Sequence, residues 1–271
     1  MTDAVVDARV GERYRALKHD YLGIGLSCLS DAEVLRSIEE AIEARSRLVI
    51  SFLNPDYALR AHRSAELKHN MNTFDIMLAD GWGVVLGGRF LGLPVPDRQG
   101  NDDIGPAIFE TCERRGYSQF LFGSAPGVAD KAASTLTADY PSLPISGTLH
   151  GYWDVERGHP GRYNDADHDM MVQRINEANP DVLWVCVPTP LQQDWVARNA
   201  VRVNAPVIIT GGSYIDHLSE SVYWFPSWML KLRLGWLYRL YREPRRLWRR
   251  YSIELAQYWL IVAGQRLRRR P

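Results

Sequence analysis

The sequence has few cysteines and no long apolar segment. Its three cysteines, Cys28, Cys112 and Cys186, are odd in number and widely spaced, which argues against a disulfide framework and against a zinc site. No segment reaches the roughly 18 uninterrupted apolar residues of a membrane-spanning helix, and residues 1–7 lack the basic and apolar regions of a secretion signal. We therefore expect a cytoplasmic protein whose contact with any membrane is peripheral.

Common nucleotide-binding and metal-binding motifs are also missing. The sequence contains neither a G-x-G-x-x-G fingerprint nor a Walker loop, so a nicotinamide-dependent dehydrogenase and a P-loop ATPase lose their usual support. It has no D-x-D pair at a strand end to hold Mg²⁺ on a diphosphate, and Asn101-Asp102-Asp103 is the nearest approach. We expect no metal and no other cofactor, because arginine alone can neutralise a diphosphate.

Charge is distributed very unevenly along the chain. The 32 basic and 32 acidic residues cancel overall, yet residues 231–271 contain 12 Lys or Arg and two Glu. Residues 1–230 therefore hold 20 basic and 30 acidic residues, a net charge of −10. Tryptophan and tyrosine are interleaved with the C-terminal arginines. This composition suits an anionic membrane surface, a diphosphate or a nucleic acid; the acidic body argues against nucleic acid. The remaining alternative is an ordinary helix with a solvated basic face.

Strand and helix patterns alternate through most of the chain. Apolar runs predict strands at 47–53, 120–122, 182–187 and 207–210, and helical spacing predicts helices at 31–46, 105–115, 127–139, 167–179 and 192–204. This alternation predicts an α/β fold, with a mostly parallel, Rossmann-like sheet covered by helices on both faces. We expect an α/β catalytic domain over residues 1–225 and a helical, basic and aromatic C-terminal appendage, residues 226–271, that associates with membranes.

Three predicted strands end in small or polar turns. These turns lie within residues 121–127, 185–194 and 208–213. Each one alone is ordinary turn chemistry. Because the carboxyl ends of parallel strands meet at one edge of the sheet, three such turns together favour a phosphate or sugar site there.

A few side chains are candidates for chemistry. Asp80 follows an apolar stretch and precedes Gly81, so it could act as a general base or simply cap a helix. Arg98 lies beside a glycine turn and could hold a diphosphate or form a surface salt bridge. His150 and Tyr152 could bind a base or a sugar, although a lone histidine is more often structural.

Short motifs run in a fixed order from about Leu48 to Tyr251. They are Asn54-Pro55, Ala79-Asp80-Gly81, Arg98 with Gly100 and Asp102, Phe122-Gly123, Pro126-Gly127, Tyr140-Pro141, His150-Gly151-Tyr152, Asn179-Pro180-Asp181, Pro190 with Gln192 and Trp195, Gly211-Gly212 with Asp216, Trp236–Arg239, Glu243–Arg246 and Arg249–Tyr251. In this order they resemble the WecG/TagA/CpsF family of bacterial glycosyltransferases. The resemblance implies an inverting, metal-independent enzyme. Its substrates would be a UDP-sugar donor and a polyprenyl-diphosphate-linked saccharide, on the inner face of the cell membrane, in cell-surface or exopolysaccharide biosynthesis.

The resemblance also implies roles for individual residues. Asp80 would be the catalytic base, and Arg98 would contact the donor diphosphate. Arg239, Arg246 and Arg249 would close over the site and bind diphosphate near the membrane. The other implied substrate-binding residues are Asn54, Gly81, Asp102, Gly123, His150, Tyr152, Gln192, Gly211, Gly212 and Asp216. The implied partners are the two substrates and an anionic membrane surface, without nucleic acid; family members are often homo-oligomers.

Several positions depart from the family pattern. The usual Pro-Lys-Gln-Glu is Pro190-Leu191-Gln192-Gln193, Phe52 replaces a threonine, and Gly235 replaces a glutamate. These departures leave two hypotheses. One is a transferase of altered sugar specificity, and the other is a catalytically silent nucleotide-sugar-binding protein at the membrane that organises other assembly enzymes.

Overall fold

The computed structural model describes residues 9–152, 163–222, 241 and 248–268 of the chain. Its first elements are helix α1 (Arg9–Arg15) and an antiparallel hairpin of strands β1 (His19–Tyr21) and β2 (Ile24–Leu26). Six further strands form one parallel sheet: β3 (Leu48–Leu53), β4 (Ile76–Ala79), β5 (Gln119–Gly123), β6 (Ile145–Leu149), β7 (Val182–Cys186) and β8 (Val207–Thr210). Their order across the sheet is β4-β3-β8-β7-β5-β6.

Helices cover both faces of this sheet. They are α2 (Asp31–Glu43), α3 (Pro55–Arg63), α4 (Ala65–Thr73), α5 (Trp82–Phe90), α6 (Asn101–Arg115), α7 (Val128–Asp139), α8 (Asp165–Ala178), α9 (Leu191–Asn199), α10 (Tyr214–Leu218) and α11 (Leu255–Arg268). Every residue of β3 is buried. Leu48 and Ile50 belong to one apolar cluster and Val49 and Leu53 to the other, as a strand covered on both faces requires. The predicted α/β fold is confirmed.

The predicted elements are present, with shifted ends. The four predicted strands correspond to β3, β5, β7 and β8, and the five predicted helices to α2, α6, α7, α8 and α9. Helix α6 begins at Asn101, earlier than predicted, because the Gly100 N–H donates to the Asp103 carboxylate at 2.8 Å and caps the helix. The helix then continues through Pro106. Helix α9 ends earlier than predicted, and the N–H of Arg202 closes a turn onto the Asn199 carbonyl at 2.8 Å.

Helix α11 packs on the α/β body against α3 and α5. Its Tyr258 is fully buried, and the Tyr258 hydroxyl donates to the Gly83 carbonyl at 2.8 Å. The Tyr21 hydroxyl forms a hydrogen bond with the same Tyr258 hydroxyl. Gln265 accepts a hydrogen bond from the Leu22 N–H at 3.0 Å. The far end of the predicted appendage is therefore joined to the β1–β2 hairpin by specific contacts.

A π-helical segment, Arg250–Glu254, leads into α11. Most of residues 223–247 lie outside the described part of the chain. Within the described part, no helix has both the length and the apolar character needed to cross a membrane.

Candidate functional site

A cavity of about 340 Å³ opens at the carboxyl ends of the parallel strands. Residues at or just beyond the ends of β4, β5 and β8 line it, including Asp80, Ser124 and Thr210. Ligands of parallel sheets bind at this edge, and the cavity lies where the three polar turns predicted a phosphate or sugar site. Eight of the predicted site residues line the cavity: Asn54, Asp80, Asp102, Tyr152, Gln192, Gly211, Gly212 and Asp216.

The other predicted site residues have different positions. Gly81 and Gly123 directly adjoin the lining residues Asp80 and Ser124 in the chain, but neither they nor Arg98 and His150 are among the described residues that line the cavity. Arg249 precedes the π-helical segment, is largely exposed, and its Nε lies 3.8 Å from a Glu254 carboxylate oxygen. Arg239 and Arg246, for which the resemblance implies diphosphate binding, lie outside the described residues.

Asp80 is held at the end of β4 by the backbone. Its N–H donates to the Leu53 carbonyl at 2.8 Å, which extends the β3–β4 pairing by one residue. Gly81 follows with φ of 94° and is the N-cap residue of α5. Only glycine adopts this conformation easily. Because Gly81 takes the cap position, helix capping does not account for a carboxylate at Asp80.

Arg98 is the centre of a carboxylate cluster beside Asp80. Its Nη2 donates to both oxygens of Asp102 at 2.7 Å, and its Nη1 donates to Asp103 at 3.1 Å. Its Nε lies 3.7 Å from Asp80 Oδ1. Burial alone would lower the pKa of Arg98, but Asp102, Asp80 and Asp103 raise it well above its usual value. The surface-salt-bridge alternative does not describe an arginine whose side chain is only 16% exposed.

Asp80, Asp102 and Arg98 can all lie close to residue 100 because it is a glycine. A Cβ at this position would lie 2.7 Å from the Asp80 and Asp102 carboxylates and 2.8 Å from Arg98 Nη2. The pKa of Asp103 is raised to about 7, mainly by burial; Arg98 lowers it, and the acidic neighbours Asp102 and Asp80 raise it. Several carboxylates are thus concentrated around one guanidinium.

A second polar group in the cavity lining contains Ser124 and Asp216. The Ser124 hydroxyl donates to Asp216 at 2.5 Å, and Ser124 itself has φ of 60°. Burial raises the pKa of Asp216, while the Ser124 hydrogen bond lowers it. Gln192 accepts a hydrogen bond from the Gly212 N–H at 2.7 Å. This bond ties together the turns after β7 and β8, two of the three turns that the sequence singled out.

Several lining residues were not predicted from the sequence. They include Asp56, Tyr57 and Arg60 on α3, Asn101 on α6, and Ser124, Thr189 and Tyr214 in or near the turns. The sequence feature that could have indicated the α3 residues is their position just after Asn54, in the first turns of a helix that begins at the sheet edge.

Four carboxylates of described residues line the cavity, those of Asp56, Asp80, Asp102 and Asp216. Within the described residues, no group of three or more His, Cys, Asp or Glu is placed to hold a metal ion.

Comparison with known proteins identifies the family of this chain. Residues 19–271 match the sequence profile of the "Glycosyl transferase WecG/TagA/CpsF family". The chain belongs to this family. The resemblance seen in the sequence motifs is confirmed, and with it the assignment of the chain to the glycosyltransferases.

Three similar members of the family share one name, N-acetylglucosaminyldiphosphoundecaprenol N-acetyl-beta-D-mannosaminyltransferase. The protein of Bacillus subtilis (strain 168) is 27% identical over 221 residues, which cover 82% of this chain and 81% of the relative. The protein of Bacillus spizizenii is 24% identical over 209 residues, covering 77% and 76%. The protein of Staphylococcus aureus (strain MW2) is 23% identical over 262 residues, covering 96% and 98%.

Two departures from the family pattern can be located. Phe52 lines the cavity at the end of β3. Ser51, the nearest hydroxyl in sequence, is buried and accepts a hydrogen bond from the Thr210 hydroxyl at 2.8 Å, so it does not replace the missing threonine in the cavity lining. Gln193 is fully buried, and both of its amide atoms lack a hydrogen-bond partner within the described part of the chain. Gly235 lies outside that part.

Proposed function

We propose that this family member is an inverting, metal-independent glycosyltransferase that moves a sugar from a UDP-sugar to a polyprenyl-diphosphate-linked saccharide in cell-surface or exopolysaccharide biosynthesis. The observation that carries the proposal is the carboxylate of Asp80, which lines the cavity at the carboxyl ends of the sheet and is not needed to cap α5. The acceptor is proposed from the names of the relatives, which act on N-acetylglucosaminyldiphosphoundecaprenol.

The proposed reaction is a single displacement. Asp80 accepts the proton of an acceptor hydroxyl, and the hydroxyl oxygen forms a bond with the anomeric carbon of the donor sugar. The bond between that carbon and the diphosphate oxygen breaks on the opposite side, and UDP leaves with the electron pair. Arg98, 3.7 Å from Asp80, orients the carboxylate. Its predicted contact with the donor diphosphate requires that it exchange one of its bonds to Asp102 or Asp103.

Contact with the membrane is proposed to involve α11 and the segment before it. Ile253, Leu260 and Leu267 repeat every seven residues and are 47%, 73% and 65% exposed. Leu260 and Leu267, both on α11, therefore lie on one side of that helix, and Ile253 lies in the π-helical segment before it. Arg266 and Arg268 flank Leu267 in the last turn. Near an anionic membrane each such arginine adds about 1 kcal/mol of attraction, which supports a peripheral location on the inner face of the cell membrane.

The catalytically silent binding protein is kept as the second candidate. The presence of Phe52 in the cavity lining favours it, because a phenyl ring there supplies no hydroxyl to a reacting sugar. The unpaired, buried amide of Gln193 favours it as well. Both observations concern departures from the family pattern, and neither affects Asp80.

UDP release tests the proposal. Purified protein is mixed with detergent-dispersed N-acetylglucosaminyldiphosphoundecaprenol and a panel of UDP-sugars, and the wild type is compared with Asp80→Asn. We expect release with one donor and a loss of at least about a hundredfold in the variant, with UDP affinity retained by calorimetry. Asp169→Asn, an exposed carboxylate on α8 that pairs with Arg202, is the control. UDP binding without release from any donor would favour the binding protein.

A further inference from the structure

The charge of the cavity does not match that of a diphosphate. Asp56, Asp80, Asp102 and Asp216 all contribute lining carboxylates. A nucleotide sugar or a lipid-linked saccharide brings a diphosphate, which is itself an anion. Like charges at close range repel in a partly buried site. A cation in the lining would offset this repulsion for either substrate.

Arg98 does not supply this charge in the present arrangement. Its Nη atoms are bonded to Asp102 and Asp103, its Nε lies near Asp80, and it is not among the described lining residues. Arg249 is paired with Glu254 and is also not among them. Within the described residues, Arg60 is the one arginine that lines the cavity.

Asp56 holds the Arg60 guanidinium by its Nε atom only. Its Nε donates to both oxygens of Asp56, one turn earlier on α3, at 3.0 and 3.1 Å. The hydrogen bonds that Arg60 makes to described residues are both donated by Nε. The side chain is 51% exposed, whereas Asp56 is buried. A buried carboxylate therefore fixes the inner edge of the guanidinium and leaves the outer edge for a ligand.

Helix α3 strengthens the positive field at this point. It begins at Pro55 directly after β3, and the side chain of Asn54, its N-cap residue, accepts a hydrogen bond from the Tyr57 N–H at 2.9 Å. Asn54 and Tyr57 line the cavity together with Arg60. The amino end of a helix carries a partial positive charge, so the helix terminus and the arginine act on the same region of the cavity.

We propose that Arg60 is a diphosphate-binding residue of this cavity and that Asp56 is its positioning residue. The inference rests on the proposed function, since it takes the ligand to be one of the two diphosphate substrates. The two Nη groups of a guanidinium can donate two parallel hydrogen bonds to phosphate oxygens. The diphosphate belongs either to the UDP-sugar donor or to the lipid-linked acceptor, and the chemistry of recognition is the same for both.

Calorimetry with UDP and uridine tests this inference, with Arg60→Gln as the variant. We expect Arg60→Gln to weaken UDP binding about ten- to hundredfold, the usual effect of losing hydrogen bonds to a charged group, and to leave uridine binding unchanged. Arg60→Lys keeps the charge but loses the planar fork, so an intermediate loss is expected. Arg63→Gln is the matched control: it lies one turn later on α3 and bonds Gln257 at 2.7 Å, and it does not line the cavity in the described structure.

Kinetic constants distinguish the two sources of diphosphate. If the donor is bound, Arg60→Gln raises the KM for the UDP-sugar and weakens UDP binding; if the acceptor is bound, it raises the KM for the lipid-linked saccharide alone. Either result supports the inference. Equal UDP affinities and equal KM values in Arg60→Gln and Arg63→Gln, with thermal unfolding unchanged in both, would overturn it. Tight UDP binding by the wild type without any transfer would count against the proposed function but not against Arg60.

Discussion

The Tyr258 hydroxyl donates a hydrogen bond of 2.8 Å to the carbonyl oxygen of Gly83. Gly83 lies in the first turn of α5, just after Asp80 and Gly81. Tyr258 belongs to α11. The C-terminal helix therefore supports the backbone that carries the proposed catalytic base, although it contributes no residue to the described cavity lining.

Replacing Tyr258 by phenylalanine tests this support. The change removes the donor to Gly83 and the partner of the Tyr21 hydroxyl. The buried Tyr21 hydroxyl and the partly buried Gly83 carbonyl then each lose a hydrogen bond, so we expect the free energy of unfolding to fall by roughly 1–3 kcal/mol. Urea unfolding measures this value. Tyr241→Phe, at a tyrosine that is 82% exposed, is the control and should change stability little. Equal stability in the two variants would show that the buried hydroxyl pair contributes nothing.

Asp103 is expected to make stability depend on pH. Its pKa is raised from 3.8 to about 7, mainly by burial. Between these values the folded chain retains a proton that the unfolded chain has lost. The contribution of Asp103 to stability is therefore complete below the unfolded value and is lost as the pH rises through about 7.

Asp103→Asn removes this titration and keeps an oxygen that can accept the Gly100 N–H. We expect the variant to lose less stability than the wild type when the pH is raised from 4 to 8, as measured by urea unfolding at each pH. Asp169→Asn controls for the loss of a carboxylate at an exposed position. If Asp103→Asn shows the same change in the free energy of unfolding between pH 4 and 8 as the wild type, another group is responsible for the pH dependence.

Two glycines with positive φ are expected to respond differently to alanine. Gly116 has φ of 72° with open space around the missing Cβ, whereas Gly123 has φ of 144° and a Cβ there would collide with the Cys186 backbone. Gly116→Ala should cost about 1 kcal/mol from backbone strain alone. Gly123→Ala should cost about 3 kcal/mol or more, because the β5 and β7 ends must separate. Thermal unfolding compares the two, and similar losses would contradict the predicted collision.

The exposed leucines of α11 are expected to govern membrane binding. Leu260→Ser with Leu267→Ser removes two exposed apolar side chains and should leave the fold intact. We expect binding to vesicles that contain phosphatidylglycerol to fall roughly tenfold or more, since each leucine buried in the interface contributes on the order of 1 kcal/mol. Vesicle co-sedimentation measures the change. Val201→Ser, at an apolar side chain that is 87% exposed before β8, is the control. If the double variant co-sediments with vesicles as the wild type does, this helix face is not the membrane-binding surface.

Burial accounts for the four strands that the sequence predicted, although β4 is equally buried and was not predicted as a strand. Strands β3, β5, β7 and β8 are buried at every residue, so each reads as a nearly continuous apolar run. Strand β6, Ile145–Leu149, lies at the sheet edge, is only half buried, and has Ser146 and Gly147 in its middle. Its composition is that of a loop. The β1–β2 hairpin has strands of three residues each, too short for any periodicity to develop.

The site was predictable where residues follow strands directly. Asp80 and Gly211 come immediately after β4 and β8, so the strand ends placed them in the cavity lining. Arg60 lines the cavity because of its angular position on α3, and Ser124 because its backbone takes a positive φ. Neither property can be read from the spacing of apolar residues. The Gln192–Gly212 hydrogen bond likewise depends on how two turns meet in space.

The position of β8 bears on how the protein is made. Among the described strands β8 is the last in the chain, yet it lies inside the sheet between β3 and β7. Until residues 207–210 have been synthesised and inserted, β3 and β7 present unpaired edges, and the cavity lacks Thr210, Gly211 and Gly212. A ligand of this cavity therefore binds only the completed sheet and shifts folding toward it. Ligand binding during refolding would accordingly report the insertion of the last strand.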